Sequence, residues 1–272
     1  MQEFIQSPLI MTALGLLFGL ILAVAYRFLK VDEDPRIEAV EELLPGTNCG
    51  ACSEPGCLGF AEKVVSGEHQ PSGCTVGTQE MIEEIAEYLN VDAGDQEKRI
   101  ARLHCAGGKA QAHQIAEYDG FESCHAAAIA SGGGKGCSWG CLGLGDCEKA
   151  CTFDVIHMNN NALPVVNASD CTACSDCVDV CPRDLFEIVP VSQSLFVQCS
   201  VPLKDENARV LCTVACDGCE KCVKDANEGL MQMKNNLPVI DYATGITPTK
   251  EATFRCPTHS IRWLETGQQF AD

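Results

Sequence analysis

The amino-acid sequence predicts an α+β protein in which one N-terminal apolar helix precedes several small cysteine-rich domains. Three observations predict this class. Residues 4–26 carry no charged side chain, and twenty cysteines among 272 residues fall mostly in tight clusters. Residues 161–167 (NALPVVN) resemble residues 235–241 (NNLPVID), which indicates an internal repeat. Aromatic residues make up only 6% of the chain, so each small domain has little apolar core of its own.

The apolar N-terminal segment predicts a transmembrane anchor over residues 1–30. Residues 9–29 are almost wholly apolar, a length that suits one membrane-spanning helix. A cleaved signal peptide is the alternative, but it favours basic residues before the apolar core, where this chain has Glu3. Arg27 and Lys30 follow the core. By the positive-inside rule they predict a single-pass protein of the inner (cytoplasmic) membrane with its soluble domains on the cytoplasmic side.

Residues 31–95 predict a small, mostly helical domain around a first cysteine cluster. Asp34 is a suitable N-cap and Pro35 a suitable first residue for a short helix that ends near residue 44. Residues 79–90 have the apolar periodicity of an amphipathic helix. Between the two predicted helices lies the motif C-x2-C-x4-C-x16-C, which consists of Cys49, Cys52, Cys57 and Cys74.

The cysteines of residues 171–181 have a more specific pattern. They form C-x2-C-x2-C-x3-C-P, which is an iron–sulfur signature in which the fourth cysteine ligates the other cluster of a pair. Structural zinc usually takes two separated C-x2-C pairs. A disulfide framework would need an oxidising compartment, which a cytoplasmic location opposes. The motif therefore favours [4Fe–4S] clusters.

Residues 131–190 resemble a two-cluster bacterial ferredoxin domain that begins with a flexible glycine-rich break at residues 131–136. The crossing rule predicts two ligand sets. One set is Cys137, Cys141, Cys147 and Cys181, and the other is Cys151, Cys171, Cys174 and Cys177. The first motif departs from the usual spacing, with x3 and x5 in place of x2 and x2.

Residues 191–272 resemble a degenerate second copy of this domain. Ala226 stands where the fourth cysteine of the motif is expected, and the other cysteines of that cluster are missing too. The remaining positions predict a single cluster bound by Cys216, Cys219, Cys222 and Cys256. Cys212 is a substitute ligand to consider, because its x3 spacing to Cys216 matches that of Cys137 to Cys141.

Residues 96–130 are predicted to connect the cluster domains. The cysteines outside the four predicted sets are Cys105, Cys124, Cys199 and Cys212. They could form a fifth iron–sulfur site or remain free thiols. Within this region, residues 98–113 are basic and carry no Asp or Glu, in an acidic chain of net charge −19. Four of its residues could dock an acidic redox partner, with a solvated surface as the alternative: Lys98, Arg99, Arg102 and Lys109.

Several function classes are disfavoured by composition and by missing motifs. The net charge of −19 opposes nucleic-acid binding. No phosphate-binding loop or dinucleotide fingerprint is present, so direct nucleotide binding is not expected. No nucleophile with an adjacent base is apparent. The sequence therefore predicts an electron carrier with no catalytic site of its own.

Three features together resemble one family. They are the apolar anchor, the segment LPGTNCGACSEPGC at residues 44–57 with Cys74, and the ferredoxin-like repeat after it. The family is the B component of the Rnf complex, an ion-translocating ferredoxin:NAD oxidoreductase. The resemblance implies an N-terminal cluster at Cys49–Cys74 and tandem ferredoxin-like domains, with four [4Fe–4S] clusters in all.

The resemblance also implies a role for the chain. Such a component accepts electrons from soluble ferredoxin and relays them to membrane and peripheral partner subunits, where electron flow to NAD is coupled to Na⁺ or H⁺ export. Some members of the family instead reduce a redox-sensing regulator. A membrane-tethered structural zinc protein and a periplasmic iron–sulfur protein are further alternatives.

Overall fold

The computed structural model describes residues 2–29, 34–95, 97–265, 267–268 and 270. Helix α1 (Gln2–Leu29) begins the chain. Its side chains from Met11 to Arg27 are almost all exposed. Within the residues that the structure describes, no helix combines the length and the apolarity needed to cross a membrane.

A three-helix unit follows, formed by α2 (Pro35–Leu43), α3 (Cys57–Ser66) and α4 (Gln79–Leu89). The helices predicted at residues 34–44 and 79–90 are confirmed. The Asp34 carboxylate caps α2 by accepting from the Arg36 backbone N–H at 2.9 Å. The Thr78 hydroxyl caps α4 through the Met81 N–H at 3.3 Å. The apolar faces pack into one core that contains Val40, Phe60, Val64, Cys74 and Ile85.

The next unit consists of two small sheets and three short helices. Its elements in order are β1 (Arg99–Leu103), α5 (Cys124–Ile129), α6 (Asp146–Ala150), β2 (Ile156–Met158), β3 (Pro164–Val166), α7 (Asp176–Asp179) and β4 (Phe186–Pro190). Strands β2 and β3 form an antiparallel hairpin, and β1 pairs antiparallel with β4 from Arg99↔Pro190 to Leu103↔Phe186. The predicted connecting region thus supplies a strand to the first ferredoxin-like unit.

The last unit repeats this plan. Its elements are β5 (Leu195–Val197), α8 (Asp205–Arg209), α9 (Lys221–Asp225), β6 (Met231–Lys234), β7 (Leu237–Ile240), α10 (Glu251–Phe254) and β8 (Ile261–Trp263). Strands β6 and β7 form the hairpin, and β5 pairs with β8. In both units the first strand pairs with the last one and encloses a hairpin and the cysteine loops, so the predicted internal repeat is present in the fold.

The glycine-rich segment at residues 131–136 is a packed turn instead of the flexible break that its composition suggested. The carbonyl of Gly134 accepts backbone hydrogen bonds from Ile115 and Ala116 at 2.8 and 3.2 Å. Gly134 has φ +78°, and a Cβ there would lie 2.1 Å from the Ala116 oxygen, so only glycine fits. The segment therefore fixes the chain ahead of Cys137.

Candidate functional site

The four N-terminal cysteines surround a single cavity. Space of about 300 Å³, partly open to solvent, lies between Cys49, Cys52, Cys57 and Cys74. The Asn48 side chain closes the loop, because its Oδ1 accepts from the Cys57 backbone N–H at 2.8 Å. Phe60 and Leu44 form the apolar wall. The predicted ligands of the N-terminal cluster therefore converge from a loop, the start of α3 and the chain before α4.

The polar surroundings of this cavity fit a cluster ligand. Burial raises the pKa of the Cys74 thiol, while the backbone N–H groups of Val76 and Gly77 hydrogen-bond the sulfur and lower it. Backbone N–H groups directed at a sulfur stabilise the thiolate that iron requires, and such bonds tune cluster potentials.

The later cysteine loops share one backbone conformation. In each of three loops, two residues adopt left-handed φ values and the second one caps a short helix: Gly143 and Gly145 before α6, Ala173 and Ser175 before α7, Gly218 and Glu220 before α9. The third cysteine of the motif is the second residue of each helix, namely Cys147, Cys177 and Cys222. The three loops are therefore structurally equivalent position by position.

This equivalence gives the first loop a new register. Cys141 corresponds to Cys171 and Cys216, and the position of the second cysteine is occupied by Leu144. The loop thus follows the ordinary C-x2-C-x2-C-x3-C spacing with leucine replacing its second cysteine, and Cys137 lies outside it. The sequence alone could have shown this register, because applying the usual spacing backwards from Cys151 gives positions 147, 144 and 141.

The set predicted around Cys171, Cys174, Cys177 and Cys151 lies together in the structure. The Cys177 thiol is buried, which raises its pKa, and its three neighbouring thiols raise the pKa further. Cys147 is also close enough to contribute. The two ligand sets of this unit therefore approach each other at Cys147 and Cys177.

The other set of this unit contains Cys141, Cys147 and Cys181, together with Cys124. Burial raises the pKa of Cys147 to about 12, and the Cys124 and Cys181 thiols add to the shift. Asp146 holds Cys124 in place, because its carboxylate accepts from the Ser123 hydroxyl at 2.9 Å and the His125 N–H at 3.2 Å. Cys124 belongs to none of the four sets that the sequence predicts.

The second unit brings together its own predicted set. Burial raises the pKa of Cys222 to about 12, with contributions from Cys216, Cys256 and Cys219. The Ser260 hydroxyl lies 3.6 Å from the Cys256 sulfur and also bonds Cys216. These four thiols therefore share one environment.

The remaining cysteines surround a second cavity, between the two ferredoxin-like units. Its cysteine lining consists of Cys105, Cys137, Cys199 and Cys212. The space among them is about 290 Å³, close to the 300 Å³ of the N-terminal cavity. All four thiols are buried. Cys137 therefore lies with three cysteines that fall outside every predicted set.

Lys135 is a buried cation at the edge of this second cavity. Its ammonium donates to the carbonyl oxygens of Gly107 and Cys141. A Cβ on Gly140 would touch both the Lys135 side chain and the Cys137 sulfur, at 3.4 and 3.3 Å. Positive charge beside thiols favours their ionised form.

The basic docking patch is smaller than its sequence predicts. Arg102 is fully buried beneath the Phe196 ring, 5.8 Å from its centroid, so it belongs to no surface. Lys98, Arg99 and Lys109 are exposed. Arg102 alternates in β1 with inward-facing apolar residues and fills the space between β1 and β5. The charge of Arg102 had predicted an exposed position instead.

Two groups of four cysteines surround cavities: Cys49, Cys52, Cys57 and Cys74 line one, and Cys105, Cys137, Cys199 and Cys212 line the other. Across the described ranges, no three His, Cys, Asp or Glu side chains are placed to hold a single metal ion. A cubane cluster separates its four thiolates because iron and sulfide occupy the space between them. The cavity-lining arrangement suits such a cluster.

Comparison with known families matches two segments of the chain. The model described as "Putative Fe-S cluster" matches residues 44–76. The model described as "4Fe-4S dicluster domain" matches residues 137–186. The first segment contains Cys49, Cys52, Cys57 and Cys74, and the second contains the eight cysteines from Cys137 to Cys181.

Curated relatives match over nearly the whole chain, and each is the B component of its complex. That of the Na(+)-translocating ferredoxin:NAD(+) oxidoreductase complex of Acetobacterium woodii is 39% identical over 93% of this chain and 75% of its own length. That of the ion-translocating oxidoreductase complex of Methanosarcina acetivorans is 34% identical over 87% and 90%. That of the proton-translocating ferredoxin:NAD(+) oxidoreductase complex of Clostridium ljungdahlii is 35% identical over 98% and 95%.

Proposed function

Because this chain belongs to the family of B components of ion-translocating (Rnf) oxidoreductase complexes, we propose that it relays electrons from reduced ferredoxin to partner subunits of such a complex. The observation that carries the proposal is the succession of cysteine sets from the three-helix unit through both ferredoxin-like units. When bound, the clusters accept and release single electrons. The protein supplies thiol ligands, N–H donors to sulfur and apolar walls that exclude water.

Neighbouring thiols of different sets support electron transfer within the first ferredoxin-like unit. The Cys147 thiol contributes to the environment of the Cys177 thiol within the first ferredoxin-like unit. Such proximity keeps successive cofactors close, which electron transfer between them requires.

The exposed basic residues favour an acidic donor at the surface. Lys98, Arg99 and Lys109 remain exposed in a chain of net charge −19. Local positive charge attracts an acidic partner such as a soluble ferredoxin and raises the encounter rate. The chain's overall charge would repel such a partner elsewhere.

Helix α1 is proposed as the membrane attachment. Its apolar side chains between Met11 and Tyr26 are mostly exposed, and such a face needs an apolar environment to cover it. The expected orientation places everything after Arg27 on the cytoplasmic side. Membrane fractionation of the chain with and without residues 1–30 tests the attachment: the shortened chain should leave the pellet.

The test of the relay uses the chain purified without oxygen. Reduced ferredoxin should bleach the visible absorbance of the chain and produce EPR signals of interacting [4Fe–4S] centres. A chain that contains zinc and little labile sulfide would overturn the proposal and support the structural zinc alternative.

The regulator-reducing role is the second candidate within the same family. It needs the same cysteine sets, so a deletion phenotype decides between the two. Loss of ferredoxin-dependent NAD reduction in membranes supports the ion-translocating role. A constitutive stress response with unchanged NAD reduction supports the alternative.

A further inference from the structure

We propose that a fifth [4Fe–4S] cluster lies between the two ferredoxin-like units, held by Cys105, Cys137, Cys199 and Cys212. The inference rests on the proposed iron–sulfur function and deepens it. It also gives Cys124 a role. This thiol takes the place predicted for Cys137 in the set with Cys141, Cys147 and Cys181. The twenty cysteines then divide into five complete sets of four.

The cavity between the units has the features of a cluster site. The four thiols are buried, and the rest of the lining is mostly small or apolar, including Ala112, Val201 and Ala215. Gly107 allows the chain to approach the site closely, because a Cβ there would lie 2.7 Å from the Cys212 sulfur. The space among the thiols is of the same size as in the N-terminal cavity, whose segment matches an iron–sulfur family model.

The four ligands come from equivalent positions of the two repeats. Cys105 follows the end of β1 by two residues, and Cys199 follows the end of β5 by two residues. The Cys105 sulfur accepts from the Cys141 N–H at 3.4 Å, and the Cys199 sulfur accepts from the Cys216 N–H at 3.2 Å. The Cys105 and Cys199 sulfurs therefore occupy equivalent positions in the two repeats.

The other two ligands match as well. Cys137 precedes Cys141 by four residues, and Cys212 precedes Cys216 by four. Each repeat thus offers the same pair of thiols to the space between them. Both repeats carry this pair of thiols at the same positions, and all four thiols meet around one cavity. Such an arrangement is expected if the four thiols bind one shared cluster, and not if they are incidental.

Backbone contacts hold the two halves of the site together. Ala106 N–H donates to the Gln198 carbonyl at 3.0 Å, and His113 N–H donates to the Leu211 carbonyl at 2.9 Å. Ala112 forms an isolated antiparallel bridge with Cys212. The cavity is therefore a fixed part of the junction between the units.

The charge balance of the site also fits a cluster. A cubane with four thiolates is anionic, and burying it requires nearby donors or cations. The buried Lys135 ammonium lies beside the Cys137 sulfur. The Cys199 sulfur accepts a second N–H bond, from Val201 at 3.5 Å.

Cys124 completes the neighbouring set. Leu144 occupies the loop position that belongs to a ligand in the two equivalent loops, so that set lacks one thiol. Cys124 begins α5 and lies close to the Cys147 thiol. Cys124, which lies outside the loop, thus replaces the ligand that is missing at Leu144. Cys137 is then available as a ligand of the fifth cluster.

Iron and sulfide counts on the full chain, purified without oxygen, test the proposal. The wild-type chain should contain about twenty irons. Cys212→Ser should contain about four fewer, with the EPR signal of the Cys216–Cys256 set unchanged. The control Thr213→Ser changes the exposed neighbour and should retain all the iron. A wild-type chain with about sixteen irons and an unaltered Cys212→Ser count overturns the fifth site while leaving the electron relay intact.

Three further variants separate the proposed ligand sets. Cys137→Ser and the double variant Cys137→Ser/Cys212→Ser should each lose only the same single cluster, because both cysteines serve one site. Cys124→Ser should lose a different cluster. Additive losses in the double variant, or full iron in Cys124→Ser, would overturn the assignment. Retained EPR signals of the other clusters show that each variant is folded, and a chain without any sulfide would overturn the proposed function itself.

Discussion

At the scale of single residues, hydrogen bonds to sulfur distinguish the cysteine sets. Burial raises the pKa of nearly every buried thiol described above, but Cys256 differs. Burial acts in the same direction there, yet donors from Ile261, Ser260 and Thr258 outweigh it and lower the pKa of Cys256. The residues after the C-P pair therefore supply a donor-rich loop around this ligand.

We expect Ser260→Ala to lower the reduction potential of the cluster held by Cys216 and Cys256. Removing a donor leaves more negative charge on the sulfur, which favours the oxidised cluster. The shift should be a few tens of millivolts, small against the span of roughly 1 V that protein surroundings produce. An EPR-monitored redox titration measures it. Ser66→Ala is the control, since its hydroxyl bonds the Lys63 carbonyl at 3.0 Å and no thiol. An unchanged midpoint in Ser260→Ala would contradict the prediction.

Arg102 shows where reading single residues goes wrong. Its charge predicted a surface, but two of its guanidinium nitrogens are buried without a hydrogen-bond partner. Burial lowers the pKa of Arg102. The packing of Phe196 from β5 against β1 decides this environment, and nothing adjacent in the sequence indicates it.

At the scale of elements, local signals predicted the helices around the N-terminal cluster. Asp34, Pro35 and the apolar periodicity of α4 act within a few residues, so the structure follows them closely. The loop between Cys49 and Cys57 depends on less obvious geometry. Gly56 precedes α3 with φ 103° and ψ 177°, a conformation that is essentially restricted to glycine.

Gly56→Ala should therefore destabilise α3 and the N-terminal cluster. The added Cβ would lie 2.8 Å from the Asn48 Oδ1 that holds Cys57. We expect a cost of about 3 kcal/mol. Hydrogen exchange of the α3 amides in the full chain measures it. Gly67→Ala, at the other end of α3, adds a Cβ to open space at φ +79° and should cost only about 1 kcal/mol. Equal exchange rates in the two variants would contradict this prediction.

At the scale of the whole molecule, the ends of each repeat meet. Strand β1 pairs with β4, and β5 pairs with β8, so each unit is closed by chain segments far apart in sequence. The C-terminal segment then returns to the first unit. The Gln268 side chain accepts from the Leu103 N–H at 2.7 Å and donates to the Leu103 carbonyl at 2.6 Å. This amide acts as an additional partner along β1.

Gln268→Ala should destabilise the molecule by about 1–3 kcal/mol, because both backbone groups of the buried Leu103 lose their partner. Thermal unfolding of the cluster-loaded chain, followed by circular dichroism, measures the change. Gln232→Ala is the matched control on the exposed face of β6 and should leave the midpoint unchanged. A Gln268→Ala midpoint equal to that of the control would show that the C-terminal segment does not stabilise the fold.

The sequence by itself determined the features that depend on neighbours along the chain. These are the capped helices, the motif at residues 171–181 and the repeat, because helix caps, apolar periodicity and ligand spacing act within a few residues. Only the tertiary structure decided that Cys105, Cys137, Cys199 and Cys212 meet, and that Leu144 leaves a place for Cys124. Those thiols are separated by tens of residues, and contacts between the two units, such as that of Ala106 with Gln198 and the bridge of Ala112 with Cys212, bring them together. The spacing of cysteines within one motif cannot show that thiols of different repeats lie together.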